Sequence, residues 1–273
     1  SETTAFDFIA QAYSGLMHMT GEADGPPMLI GAGIADTSTG VHAFAALGYA
    51  LYRRDRPGEG SHLDIGMVDV MYHMQETAVS GPSLSGGETV AMRTGRHYAP
   101  ASPAGIFKAP QGWIVVFALE NQIMNLWAAL GRPELAEDPR FQNNRTRLEH
   151  RDALTDIIEK WMSSFERDTE IISVLEQHRV PCGPVVEPVK LADTHPHFLE
   201  RGTVREVTDP LAGSMLIPGF PLRFSDAPGL PDLVAAEVGE HNTSVLEDLL
   251  GMDSHSVSAL EEEGVLYRRP PRD

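Results

Sequence analysis

The sequence predicts an α/β protein with a smaller α+β domain inserted along its length. Three observations lead there: helical and extended patterns alternate, two connectors rich in Gly, Ser and Pro interrupt them, and 273 residues suffice to bury a core. Composition agrees. At 42% hydrophobic and 22% charged residues, the chain is neither disordered, collagen-like nor a disulfide miniprotein.

Taken in order, residues 5–20 place Phe8, Ile9, Ala12, Leu16 and Met19 on a helical stripe that stops near Gly21. The run 21–27, with its paired prolines, is a turn signal. Residues 28–34 read as a buried strand or an extended approach. Asp36-Thr-Ser-Thr then offers capping side chains to a helix over about 40–54, apolar on nearly every side and therefore expected to be buried. Arg53 and Arg54 suit its C-terminal dipole. Residues 62–67 alternate, with Leu63, Ile65 and Met67 on one face of an expected strand, and 68–77 read as a further helix. A Gly/Ser/Pro-rich connector begins at Ser80. Beyond it come a strand over 113–119, helices over 121–131, 149–164 and 168–179, a hairpin of 203–207 with 215–217 turning around 210–213, a Pro-rich connector over 218–231, and two closing helices near 241–250 and 254–263. The expected organisation is 1–80 as part of a large α/β domain, 81–105 as linker, 106–200 as a small α+β domain, and 201–273 as a return connector with C-terminal helices.

Charge narrows the functions available. With 39 acidic against 21 basic residues, the net charge of −18 repels nucleic-acid phosphates and anionic lipid surfaces. Cys182 is the single cysteine, so no intrachain disulfide forms and a reducing, cytoplasmic setting is expected. The most apolar stretch, 41–52, is too short to span a bilayer, and the Ser-Glu-Thr-Thr start carries no signal core.

The segment Gly31-Ala-Gly33-Ile-Ala-Asp36 opens like a dinucleotide fingerprint, but Asp36 stands where the third glycine belongs. A carboxylate there repels a pyrophosphate, so nicotinamide dinucleotide binding is rejected. The commoner role for Asp36 is a helix cap. Its sharper role is a carboxylate nucleophile, at a helix start whose dipole favours negative charge and whose N–H groups could hold an oxyanion. No histidine pair among the eleven has a recognised metal spacing, and none is expected to hold a metal. Cys182, between Pro181 and Gly183, reads as a structural thiol.

Motifs spread along nearly all of the chain carry a resemblance. They are the run from Phe6 and Asp7 to Gly15, Ile34-Ala35-Asp36 with Gly40, Gly58-Glu59-Gly60, Asp64-Ile65, Met67-Val68-Asp69, Asp138-Pro139-Arg140-Phe141, Val180-Pro181-Cys182-Gly183-Pro184-Val185, Gly219-Phe220-Pro221 and Gly239-Glu240-His241. In this order and spacing the chain resembles the class III coenzyme A-transferases. The resemblance implies the later part of a Rossmann-like large domain joined to a small α+β domain, in interlocked dimers. It implies Asp36 as nucleophile, forming an aspartyl anhydride and then an aspartyl-CoA thioester. Phe6, Asp7 and Met67 correspond to positions near the substrate and the CoA thiol, although Asp7 also reads as a helix-start residue and Met67 as a core residue. Coenzyme A enters as a substrate thioester with no tightly bound cofactor, and the partners are an acyl-CoA and a small carboxylic acid. Racemization of α-methylacyl-CoA, the activity of similar proteins, needs a histidine base where Phe6 stands. Two departures qualify the resemblance. No glycine-rich loop of the oxalate-specific members is evident in 97–105, and the family's N-terminal nucleotide-fold segment has no counterpart. A split heteromer with a nucleotide-fold chain, or a non-catalytic half, is therefore the alternative expectation.

Overall fold

The structure is a computed structural model and describes residues 4–188, 190, 195–209, 212–226 and 235–268. The chain forms two compact units, one reaching Val185 and the other starting at Val186. No helix among the described residues is long and apolar enough to cross a membrane.

The first unit opens with helices α1 (Asp7–Tyr13), α2 (Leu16–Met19), α3 (Ile34–Arg54), α4 (Met67–His73) and α5 (Glu76–Leu84). Gly15, at φ +83°, separates α1 from α2, so the single helix expected over 5–20 is two. Their common core is small: Ala10, Ala35 and Met71, flanked by Leu16, Ile34 and Met67. Two alanines at the crossing let α1 and α3 approach closely.

Several expectations are corrected here. The buried face of α1 is Asp7, Ala10, Gln11 and Ser14, while Phe8 and Ile9 of the expected apolar stripe are exposed. The reason is hydrogen bonding: the buried polar groups of α1 serve neighbouring backbone. Residues 28–33 form no strand and approach α3 as irregular chain. Helix α3 begins at Ile34, not near Gly40, because the Asp7 carboxylate accepts from its first-turn N–H groups, while Thr37 and Thr39 sit inside the helix with their hydroxyls folded back onto the carbonyls of Gly33 and Ala35. It is not buried either: Phe44 is 60% exposed and Tyr49 77%, because no described residue of this unit covers that face. Residues 62–66 are not a strand. No partner strand lies beside them among the described residues, and a lone strand leaves its backbone donors unpaired. Met67 instead starts α4, where Met67 and Met71 share a face. Helix α5 extends into the expected connector.

The rest of this unit is an antiparallel sheet covered by helices. Strands β1 (Ala104–Lys108), β2 (Trp113–Phe117) and β3 (Cys182–Pro184) run in the order β1-β2-β3, with Ile106 opposite Val115 and Val116 opposite Cys182. Along β2, Ile114 and Val116 are fully buried while Trp113 and Val115 face outward, the period of two that a half-buried strand requires. The buried side packs on α6 (Ile123–Ala129), α8 (Arg151–Met162) and α9 (Asp168–Gln177). Leu154, Ile158 and Met162 recur every four residues on α8, and Ile171 and Leu175 do so on α9, completing the main core around Trp127 and Phe141. Helix α7 (Asn144–Glu149) starts with a capping box in which Asn143 and Thr146 exchange hydrogen bonds.

Cys182 is half-buried on β3, beside this core. Burial, and then the charge of Glu176, push its thiol up to about 11. Alkylation by iodoacetamide at pH 8 is expected to run roughly a hundredfold slower than for a free cysteine, because so little thiolate is present. Recovery of the ordinary rate in denaturant checks that the fold causes the protection; an ordinary rate in the native protein would contradict it.

The second unit holds α10 (Pro196–Glu200), the hairpin of β4 (Val204–Asp209) with β5 (Gly213–Pro218), α11 (Asn242–Leu250) and α12 (Ser254–Glu262). The hairpin lies where the spacing predicts one but extends beyond the expected strands, pairing Val204 with Pro218 and Asp209 with Gly213. Pro210 and Leu211 of its expected turn lie outside the described residues. Gly251, at φ +63°, ends α11 in the left-handed conformation that glycine adopts without strain.

Candidate active site

The candidate site is the start of α3. Its N-cap, Gly33, has no side chain to offer, and the cap comes from 26 residues earlier in the sequence. Asp7 lies in the first turn of α1 and is almost fully buried. Its Oδ2 accepts from the N–H of Ala35 at 2.7 Å and of Asp36 at 3.0 Å. Its Oδ1 accepts from Gln11 Nε2 at 2.6 Å. Gln11 extends the network, accepting from the Ile30 N–H at 3.0 Å and donating to the Ala32 carbonyl at 3.3 Å. One turn of α1 thus pins both the approach to α3 and its first residues.

This arrangement corrects one part of the chemistry expected. The N–H groups of Ala35 and Asp36 are committed to Asp7, that of Thr37 to the Gly33 carbonyl, and that of Ile34 to the Ala32 carbonyl. They are not open to an oxyanion. A negative Asp7 at the positive end of the helix dipole is favourable in itself and occupies the anion position of α3.

Asp36 is the third residue of α3, not its cap. Its side chain is exposed, and its carboxylate makes no hydrogen bond or ion pair among the described residues. Met67 is half-buried and packs on the cluster that includes Ala35. Phe6 is the N-cap residue of α1 and 72% exposed. The structure therefore brings Asp7 to the backbone of Asp36 and Met67 to the cluster around its neighbour Ala35, while Phe6 precedes Asp7 and is exposed. Gln11 is the residue that sequence reading missed. Its signal was present: Asp7 and Gln11 stand four apart, the spacing at which two polar side chains on one helix face meet.

The sequence profile of CoA-transferase family III matches residues 1–242. The chain belongs to this family. The family III chain is 31% identical to a succinyl-CoA–D-citramalate CoA-transferase of Chloroflexus aurantiacus, over 97% of its own length and 65% of the relative's. It is 30% identical to a formyl-CoA:oxalate CoA-transferase of Streptomyces coelicolor, over 96% of its length and 67% of the relative's. Among solved structures, a CAIB/BAIF family protein from Brucella suis superimposes with a TM-score of 0.72 at 29% identity, covering 91% of this chain and 64% of that one. The chain thus spans about two thirds of the length of the relatives it matches.

Proposed function

We propose that the protein moves coenzyme A between an acyl-CoA and a small carboxylic acid, with Asp36 as the nucleophile. The observation that carries this reading is a carboxylate left exposed and unpartnered on a helix turn whose backbone is locked from behind by Asp7. A nucleophile must be both free to react and fixed in position. In the reaction, the Asp36 carboxylate attacks the thioester carbon, giving a mixed anhydride and CoA thiolate. The thiolate then attacks the aspartyl carbonyl, forming an aspartyl-CoA thioester and releasing the first acid. The acceptor carboxylate reverses both steps. With the first-turn N–H groups already engaged, oxyanion donors come from elsewhere than Ala35 and Asp36.

Relatives named for transfer between CoA esters and the acids citramalate, oxalate, mesaconate and glutarate support an organic acid as acceptor. The roles proposed beside Asp36 are positioning for Asp7 and a floor for Met67, with Phe6 at the solvent edge. Asp7 accepts hydrogen bonds at both carboxylate oxygens, which favours positioning over the proton exchange a racemase needs. The exposed apolar side chains of α3, Phe44 and Tyr49 among them, give an interlocked dimer or a split heteromer a face to cover.

The test is intact-protein mass spectrometry after adding succinyl-CoA to an assembly that binds CoA, with hydroxylamine as trap. A hydroxamate mapped to Asp36, and absent from Asp36→Ala, is the expected result. An assembly that binds CoA yet forms no adduct would remove Asp36 as nucleophile.

A further inference from the structure

A cavity in the first unit, of about 480 Å³, is walled by three segments distant in sequence. The turn after α2 contributes Glu22, the stretch before β1 contributes Arg93, Arg96 and His97, and α8 contributes Arg151 and Asp152. The volume lies within the range of small-molecule sites. Fixed contacts hold these walls together. The Gly95 N–H donates to the Gly21 carbonyl at 3.0 Å, and Arg93 Nη1 donates to the His18 carbonyl at 2.9 Å. Arg96 pairs with Glu159 of α8. Gly95 suits this turn: its φ is +59°, a conformation that glycine adopts without strain.

Three guanidinium groups meet at this cavity, and two of them are largely unspent. Arg96 is neutralised by Glu159. Arg93 and Arg151 form no ion pair among the described residues, although each side chain is half out of water and Asp152 attracts Arg151 through space. Arg93 gives one of its five N–H donors to His18. Arg151 directs one terminal nitrogen at the carbonyls of Tyr98 and Ala99, at 3.4 and 3.3 Å, distances at which a hydrogen bond is weak. Among the described residues the Nε of each is buried and donates to nothing, which leaves the terminal nitrogens to meet a ligand.

Carboxylates also line the cavity, in Glu22, Asp152 and Asp156, but all three are exposed and keep their hydration. The arginines are the less hydrated charges. Their field is felt at His97, where burial and then Arg151 and Arg96 hold the imidazole below its ordinary value against the opposing pull of Asp152 and Glu159. The exposed carboxylates still shape the choice of ligand. They disfavour a polyanion and accept hydrogen bonds from a hydroxyl.

We propose that this cavity binds a small molecule bearing a carboxylate or phosphate group, gripped by the guanidinium groups of Arg93 and Arg151. A planar fork that matches two oxygens at once suits either anion. The lining favours a ligand of one or two negative charges carrying a hydroxyl, such as a hydroxy acid. This site involves none of the residues around Asp36 and stands whether or not Asp36 is the nucleophile.

Isothermal titration calorimetry at one fixed, low salt concentration tests the proposal with two probes, malate and inorganic phosphate. The wild-type chain is compared with Arg93→Gln, Arg151→Gln and the surface control Arg54→Gln, whose partner is Asp55. Saturable binding of at least one probe is expected, weakened at least tenfold in each of the first two variants and unchanged in the control. Tenfold corresponds to about 1.4 kcal/mol, a modest share of a charged bidentate contact. Tighter binding of malate assigns the site to a carboxylic acid; tighter binding of phosphate assigns it to a phosphate-bearing molecule. A far-UV spectrum and thermal melt accompany each variant, and Arg93→Gln carries the test if Arg151→Gln fails to fold. No binding of either probe below 10 mM, or affinities that Arg93→Gln leaves unchanged, overturns the proposal.

Discussion

Replacing Arg147 by alanine is expected to cost about 3–5 kcal/mol and to move the urea midpoint down by roughly 1–2 M. The side chain is 1% exposed, so this is a guanidinium inside the core. It is held on three sides. Nε donates to the Ser102 carbonyl at 2.7 Å, Nη1 to the Phe141 carbonyl at 3.0 Å, and Nη2 to Glu120 Oε1 at 2.5 Å. Each bond ties α7 to a different segment: the chain entering β1, the turn before α7, and the loop after β2. Asn144 on the same helix reinforces the first tie, accepting from the Ser102 N–H at 3.1 Å and donating to the Pro100 carbonyl at 2.9 Å. Alanine strands two buried carbonyls at about 1–3 kcal/mol each and opens a cavity beside Phe141. Glu120 is mostly solvated and adds little to the loss. Lysine keeps the charge but not the fork, so Arg147→Lys is expected to fall between wild type and alanine. Tryptophan fluorescence, which includes the buried Trp127, reports the transition. A midpoint within about 0.2 M of wild type for Arg147→Ala would show that the network carries no net stability.

How far the sequence foretold all this depends on whether burial is settled locally. Strand β2 was legible because Trp113 to Phe117 is a short run of aromatic and β-branched residues after the turn signal Gln111-Gly112, and the β4–β5 hairpin because turn residues separate two short extended runs. Helix α8 was legible because Leu154, Ile158 and Met162 keep a four-residue step. The errors cluster in the first 70 residues, and they share a cause. Apolar pattern reveals that a face seeks cover, not that this chain supplies it. Phe8, Ile9, Phe44 and Tyr49 stand exposed for that reason. Asp7 and Gln11 fail in the opposite sense: polar side chains normally read as solvent-facing, yet here they are buried because the N-terminus of α3, whose cap position is Gly33, has no side-chain cap of its own. Asp36 was found through order and spacing of motifs, whereas its turn's dependence on Asp7 is a long-range contact that no local window contains.

That dependence makes the second large effect. Asp7→Ala is expected to cost about 2–4 kcal/mol, since it removes the acceptor for two backbone N–H groups and for the Gln11 amide. Ala35 is wholly buried, so water does not simply replace the lost carboxylate. Asp7→Asn separates shape from charge. Its carbonyl oxygen can still accept from Ala35 and Asp36, but its NH₂ then faces the donating NH₂ of Gln11. Gln11 cannot turn over to accommodate it without breaking its bonds to the Ile30 N–H and the Ala32 carbonyl. Asparagine is therefore expected to lose roughly half of what alanine loses, including up to about 2 kcal/mol of charge–dipole attraction at the α3 start. Amide hydrogen exchange gives the decisive readout. In both variants the Ala35 and Asp36 amides should exchange faster relative to those of β2, because local release of the first turn precedes global unfolding. Protection at Ala35 and Asp36 that falls only in step with β2 would mean that Asp7 stabilises the unit generally and leaves the turn bearing Asp36 as rigid as before.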